Sequence, residues 1–169
     1  MTPEIRRRIH AFRNALVLAT DTHSNECFWM NRWQELNDFP HGCCDLASNF
    51  LAQYLQDSDP ALNPVIVHMQ TTPDFRINES STIKSHVIVE LEGWFIDLTL
   101  SQFTEYRSRV IIESRGGTLD NLLRNIRYYG GKVTERGVQL NAGLDNDGRA
   151  LYDWLLATAD SLLYPNTIG

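Results

Sequence analysis

The chain has 169 residues, 43% of them hydrophobic and 21% charged, with a formal net charge of −6 and a pI near 5.3. This length suits one domain over residues 1–169 with a sizeable core, and the composition excludes a disordered, fibrous or membrane-embedded chain. The acidic balance argues against nucleic acid as a partner, and Arg6-Arg7-Arg8 is the one basic run.

No apolar stretch approaches the roughly 18 residues of a membrane span, and the first residues lack the apolar core of a signal peptide. The expected location is the cytoplasm, or outside the cell as an effector exported without a cleaved signal peptide. Three cysteines, an odd number with two adjacent, do not form a disulfide framework. Cys27, Cys43 and Cys44 contain no C-x2-C pair, which argues against zinc, and no metal or cofactor is expected.

Pro3 and Glu4 open a helical pattern in which Ile5, Ile9, Phe12 and Leu16 make one apolar stripe. Arg6, Arg7, Arg8 and Arg13 fall mostly off that stripe and read as a solvated face. Residues 21 to 41 read as irregular, with Phe28, Trp29, Trp33 and Phe39 wrapping the next element. From Cys44, the positions Ala47, Phe50, Leu51, Tyr54 and Leu55 fall on one face of a helix running to about Gln56, ended by Asp57-Ser58-Asp59-Pro60.

Val65 to Gln70 is short, apolar and β-branched enough for a core strand, and residues 71 to 82 read as a polar loop. Glu92-Gly93 then centres a two-residue turn between alternating strands. Placing Leu91 opposite Trp94 puts His86, Ile88, Phe95, Asp97 and Thr99 on one face. Val87, Val89, Leu91, Trp94, Ile96 and Leu98 share the other, which is wholly apolar as a core face should be. Val110 to Ile112 reads as a short strand, Thr118 as the cap of a helix closed by Gly130-Gly131, and Gly148 to Leu163 as a last helix. Asp145-Asn146-Asp147-Gly148 resembles part of a calcium loop, but Gly143 and Trp154 stand where its first and last ligands would be. It reads as a turn and helix cap.

The chemistry concentrates where Gly42-Cys43-Cys44 turns into a helix. A helix start presents unpaired backbone N–H groups and a partial positive charge, which favour a thiolate and can hold the oxyanion formed when sulfur attacks a carbonyl. On the hairpin, His86 and Asp97 are diagonal neighbours within reach of an imidazole–carboxylate hydrogen bond. Cys44, His86 and Asp97 therefore make a candidate nucleophile, base and orienter. Cys43 is the rival thiol and His41 the alternative imidazole, while Asp45 works against a thiolate unless its side chain points away. His10, His23 and His68 read as structural or surface residues.

These pieces resemble the papain-like and transglutaminase-like cysteine enzymes. Gly42-Cys43-Cys44 before an apolar helix is similar to the family's Gly-x-Cys, His86 to Leu91 to its His-bearing strand, and Trp94 to Thr99 to its Asp-bearing strand. The resemblance covers about residues 33 to 103 and implies an α+β domain with the nucleophile helix packed on a small antiparallel sheet. It implies Cys44 as nucleophile, His86 as base and Asp97 as orienter. The implied activity is attack on a protein or peptide amide, as a protease or glutamine deamidase, or as a transglutaminase when an amine resolves the acyl-enzyme. The competing expectation is a non-catalytic effector or binding module that keeps the fold. One position departs from the pattern: Asp38 stands six residues before Cys44, where papain-type enzymes carry a Gln, and Gln34 and Asn37 are the nearby amides.

Overall fold

A computed structural model describes residues 1–22, 31–141 and 146–164. Cys27, His23, Phe28, Trp29 and Asp145 lie outside the described residues. The architecture is α+β: a five-stranded antiparallel sheet with helices against both faces.

The first helix, α1 (Pro3–Thr22), starts with the Thr2 hydroxyl accepting the Ile5 N–H at 3.2 Å. Its stripe of Ile9, Phe12, Ala15, Leu16 and Ala19 is buried. Arg13 is not on a solvated face as expected but buried, its Nε donating to the carbonyls of Leu98 and Arg109 at 3.3 and 2.9 Å. A guanidinium whose donors find backbone acceptors can leave water, and this one holds down the chain beyond the hairpin.

Residues 31 to 38, expected to be irregular, form α2 (Asn31–Gln34) and a 3-10 turn, Glu35–Asp38. Trp33 and Leu36 anchor that segment in the core. The central helix α3 (Cys44–Ser58) buries Ala47, Phe50, Leu51, Tyr54 and Leu55, and also Leu46, Ser48, Asn49 and Ala52, so it is enclosed on most sides. It packs on β1 (Val65–Gln70) and β2 (Ser85–Leu91), with the Ser48 hydroxyl donating to the Val87 carbonyl at 2.9 Å.

Between those strands the expected loop contains α4 (Pro73–Asn78). Thr72 caps it by accepting the Phe75 N–H at 3.2 Å, Pro73 occupies the first turn and Phe75 is buried. Cap, proline and apolar anchor all stand in Thr72-Pro73-Asp74-Phe75, but the polar composition around them masks so short a helix.

The hairpin of β2 and β3 (Trp94–Asp97) has the expected register, with Leu91 opposite Trp94 and Val89 opposite Ile96. Its turn uses φ of +50° at Glu92 and +84° at Gly93, the left-handed pair that a two-residue hairpin requires. Next come β4 (Ile111–Glu113), α5 (Thr118–Tyr128) and β5 (Lys132–Arg136), the last not expected from the sequence pattern. The residue before α5 is Gly117; the Thr118 side chain does not cap, and Glu113 Oε2 accepts the Leu119 N–H at 3.2 Å instead. Gly130, at φ +81°, lets the Gly131 N–H reach back to the Ile126 carbonyl at 2.8 Å and close the helix.

Strand order is β4-β3-β2-β1-β5. Helix α6 (Gly148–Leu163) packs on α1 and completes the first layer. Asp147 precedes it, but its carboxylate accepts the Arg32 N–H at 3.2 Å rather than capping α6.

Both sheet faces are buried. Ile66, Val87, Val89, Leu91 and Ile96 join α1, α3 and α6 in one core. Val67, Met69, Ile88 and Phe95 join Phe75 and the apolar stripe of α5 in a second. The single apolar face expected from the hairpin is therefore half of the packing. Ile88 and Phe95, on the face that carries the candidate site residues, are core residues too.

Candidate functional site

Gly42 adopts φ +70°, a left-handed conformation open to glycine at little cost, and this swings the chain into α3. Cys43 becomes the residue preceding the helix and Cys44 its first residue. The turn separates the two thiols. Cys43 is wholly buried, and its Sγ donates to the Glu35 carbonyl at 2.9 Å, with the His41 carbonyl at 3.4 Å. Burial first, then the negative charges of its surroundings including Glu35, push its pKa up to about 12. It is held as a thiol and serves packing. Cys44 is half-buried, with its sulfur on the helix start.

Strands β2 and β3 supply the other two groups. His86 Nε2 and Asp97 Oδ2 are 2.6 Å apart, with both side chains buried. Asp97 Oδ1 in turn accepts the Thr99 N–H at 2.8 Å, so both carboxylate oxygens are committed and the group cannot swing away. Asp is a poor strand former, and this double engagement is what its place in β3 secures. Burial alone would depress the imidazole's pKa. The charge and hydrogen bond of Asp97, with a smaller contribution from Cys44, outweigh it and raise the pKa to about 10.

With Nε2 on Asp97, Nδ1 is the nitrogen left for sulfur. It is buried and makes no complete hydrogen bond, while the Cys44 thiol is near enough to act on the ring electrostatically. Phe103 meets the imidazole edge-on, with ring centroids 5.2 Å apart. Cys44 packs against the first core and Phe103 against the second, so His86 sits at the seam between them.

The charge on Asp45, the awkward residue in the first turn, is drawn sideways. Its carboxylate is ion-paired to Arg136 on β5 and lies 3.6 Å from the buried Arg32, and Asn49 Nδ2 donates to it at 3.3 Å. Arg32 is itself engaged by Glu35, with two contacts of 2.9 Å. Asp45 and Glu35 thus share two guanidiniums, with Arg136 the direct ion-pair partner of Asp45.

His10 and His41 are exposed, and His68 is half-buried on β1. Asp38, Gln34 and Asn37 are all exposed on the segment before the turn. A different amide reaches the turn: Gln102, at the end of the 3-10 turn Leu100–Gln102 that follows β3, accepts the Gly42 N–H on its Oε1 at 3.2 Å. No motif singles it out. Its only signal in the sequence is a position shortly after Asp97, on the segment that also delivers Phe103. A cavity of about 300 Å³ is lined by Arg13, Phe39, Pro40, His41, Ser101 and Arg109 among others, including the chain neighbours of Gly42 and Gln102.

No family model matches the chain. Two relatives from Escherichia coli, both named "Uncharacterized protein YuaU" and found in strains UTI89 and K12, are 37% identical to it over 101 residues. That match takes in 60% of this chain and 43% of each relative, so the chain spans less than half the length of the curated relatives it matches. No solved structure matches.

Proposed function

We propose that this chain is a cysteine-dependent amide hydrolase or acyltransferase of papain-like or transglutaminase-like plan, acting on a protein or peptide. The observation that carries the reading is the orientation of His86: one ring nitrogen is fixed on a buried carboxylate and the other is uncommitted beside the Cys44 thiol at a helix start. A purely structural histidine would have both nitrogens satisfied.

The groups supply a mechanism. Cys44 passes its thiol proton to His86 Nδ1 and the thiolate sulfur attacks the acyl carbon, the C=O electron pair moves to oxygen, and first-turn N–H groups of α3 stabilise that oxyanion. As the tetrahedral intermediate collapses, the C–N bond breaks and the proton on His86 Nδ1 goes to the departing amine or ammonia. Water then attacks the thioester with His86 taking its proton, which releases acid and regenerates Cys44. A primary amine in place of water gives transfer instead. Asp97 holds the imidazole in the one tautomer and orientation that serve both steps. Cys44 is the member of the three open to solvent, where the acyl group would be carried. This chemistry needs no cofactor.

The test is mass spectrometry of candidate protein substrates exposed to the wild type and to Cys44→Ala. A gain of about one dalton at glutamine marks deamidation, new termini mark proteolysis, and crosslinks mark transfer, each absent with Cys44→Ala. In parallel, iodoacetamide at neutral pH should alkylate Cys44 rather than the buried Cys43, and His86→Ala should slow that alkylation by about tenfold or more. Equal, slow labelling of Cys44 with and without His86 leaves the non-catalytic binding module as the reading.

A further inference from the structure

The Gln102 side chain is bound on one end only. Its Oε1 accepts the Gly42 N–H, which fixes which end of the amide is oxygen, and its Nε2 is buried with no hydrogen-bond partner among the described residues. Burying an amide NH₂ without an acceptor is unfavourable, so this end of the side chain is free to donate to a bound group. Its neighbours suggest what kind. Gly42 lies two residues before Cys44, and the Cys44 N–H belongs to the first helical turn, whose amides have no intrahelical acceptor. Gln102 is also held at both ends of its own segment. Its N–H donates to the Thr99 carbonyl at 3.0 Å, Leu100 is buried, and Asp97 is tied to Thr99.

We infer that Gln102 is a catalytic residue whose Nε2, together with the Cys44 N–H, donates to the oxyanion formed when the Cys44 sulfur adds to an acyl carbonyl. The inference rests on the acyl-transfer reading above and identifies a side-chain donor for it. The donor comes from the chain after the orienting strand rather than before the nucleophile. One segment, residues 97 to 103, then brings the orienter, the oxyanion donor and the ring against His86, so their spacing is set by one short piece of chain.

Acylation and alkylation of the same thiol separate this role from a structural one. Acylation of Cys44 by 4-nitrophenyl acetate passes through an oxyanion; alkylation by iodoacetamide, a displacement at a saturated carbon, does not. Both rates are measured on the intact chain for the wild type, Cys44→Ala, Gln102→Glu and Gln102→Met. Glu keeps an acceptor for the Gly42 N–H but has no donor, and Met keeps the length with neither. The ratio of acylation to alkylation cancels changes in thiolate fraction or turn geometry. That ratio should fall by about 100-fold in both variants, the usual loss for one oxyanion donor. A ratio within about threefold of wild type in either variant, including the case in which both rates drop together, makes Gln102 only a brace for Gly42 and overturns the assignment. Wild-type acylation no faster than that of Cys44→Ala would sink the acyl-transfer reading itself, and this inference with it.

Discussion

The two ends of α3 both bury polar groups, and they handle them differently. At the C-terminal end, Tyr152 donates to Asp57 at 2.5 Å and Tyr54 donates to Asp160 at 2.9 Å. Gln53 also reaches Asp57, and Arg8 contacts Tyr54, so each of the two phenols ends on a carboxylate. At the N-terminal end, His86 and Gln102 are each fixed through one polar atom and leave the other, Nδ1 and Nε2, buried and without a hydrogen-bond partner among the described residues. The first arrangement needs nothing more and ties α1, α3 and α6 together. The second is incomplete without an acceptor and a proton-transfer partner, which is what an acyl group on Cys44 would bring. A helix can thus be stabilised at one end and kept chemically open at the other.

The contrast is broken most severely at Asp97. Asp97→Ala leaves His86 in a buried site without its counter-charge and should cost about 3–5 kcal/mol of stability in urea denaturation. The loss of a mere surface carboxylate would be under about 1 kcal/mol, so a small effect would disprove the coupling. The same coupling can be read without mutation. His86 has its pKa raised in the fold, so the stabilisation from its pairing with Asp97 is fully present below about pH 6.5 and is lost as pH rises through about 10. Tyr54 and Tyr152 have theirs raised above an ordinary value of 10.0, by burial first and then by their carboxylate partners. Their stabilisation is therefore present at every lower pH and is lost only above that value. The two ends should titrate in different windows: a decline in unfolding free energy between about pH 6.5 and 10 that Asp97→Asn flattens, then a steeper one beyond it.

Tyr152→Phe sharpens the comparison from the other side. It removes one charge-assisted hydrogen bond and should cost about 1.5–3 kcal/mol, leaving the alkylation rate of Cys44 as in the wild type. A matching fall in Cys44 reactivity would mean the two ends are not independent.

How far each end is legible in the sequence follows from the kind of signal. The hairpin register is readable because Glu92-Gly93 dictates the turn, and once Leu91 opposes Trp94 the parity of every later residue is fixed; His86 and Asp97 are brought together by that parity. The choice between adjacent thiols needs the φ of Gly42, which no residue pattern gives. Gln102 is invisible because its contact to Gly42 joins positions 60 residues apart. Arg13 and Arg32 carry no mark of their burial, since a guanidinium leaves water only for acceptors that the folded chain assembles. β5 escapes notice for the opposite reason: Lys132 to Arg136 is mostly exposed, so it lacks the apolar alternation by which strands announce themselves and is held by its pairing with β1.

That exposed strand carries the smallest prediction. Arg136 on β5 pairs with Asp45 in the first turn of α3, and both side chains are partly open to solvent. The pair itself should therefore contribute well under about 1 kcal/mol to stability. Its larger consequence is electrostatic: without Arg136, only the more distant Arg32 offsets Asp45, and the first turn of the helix becomes more negative beside the Cys44 sulfur. Arg136→Ala should leave the urea midpoint nearly unchanged and slow iodoacetamide alkylation of Cys44 by about threefold, the kinetic equivalent of roughly 0.6 kcal/mol. Raising the salt concentration should shrink that difference, because a partly exposed charge is screened within about 10 Å at 0.1 M. An alkylation rate indifferent to Arg136 at low salt would show that Arg32 alone neutralises Asp45, and that the edge strand contributes pairing to the sheet but no charge to the site.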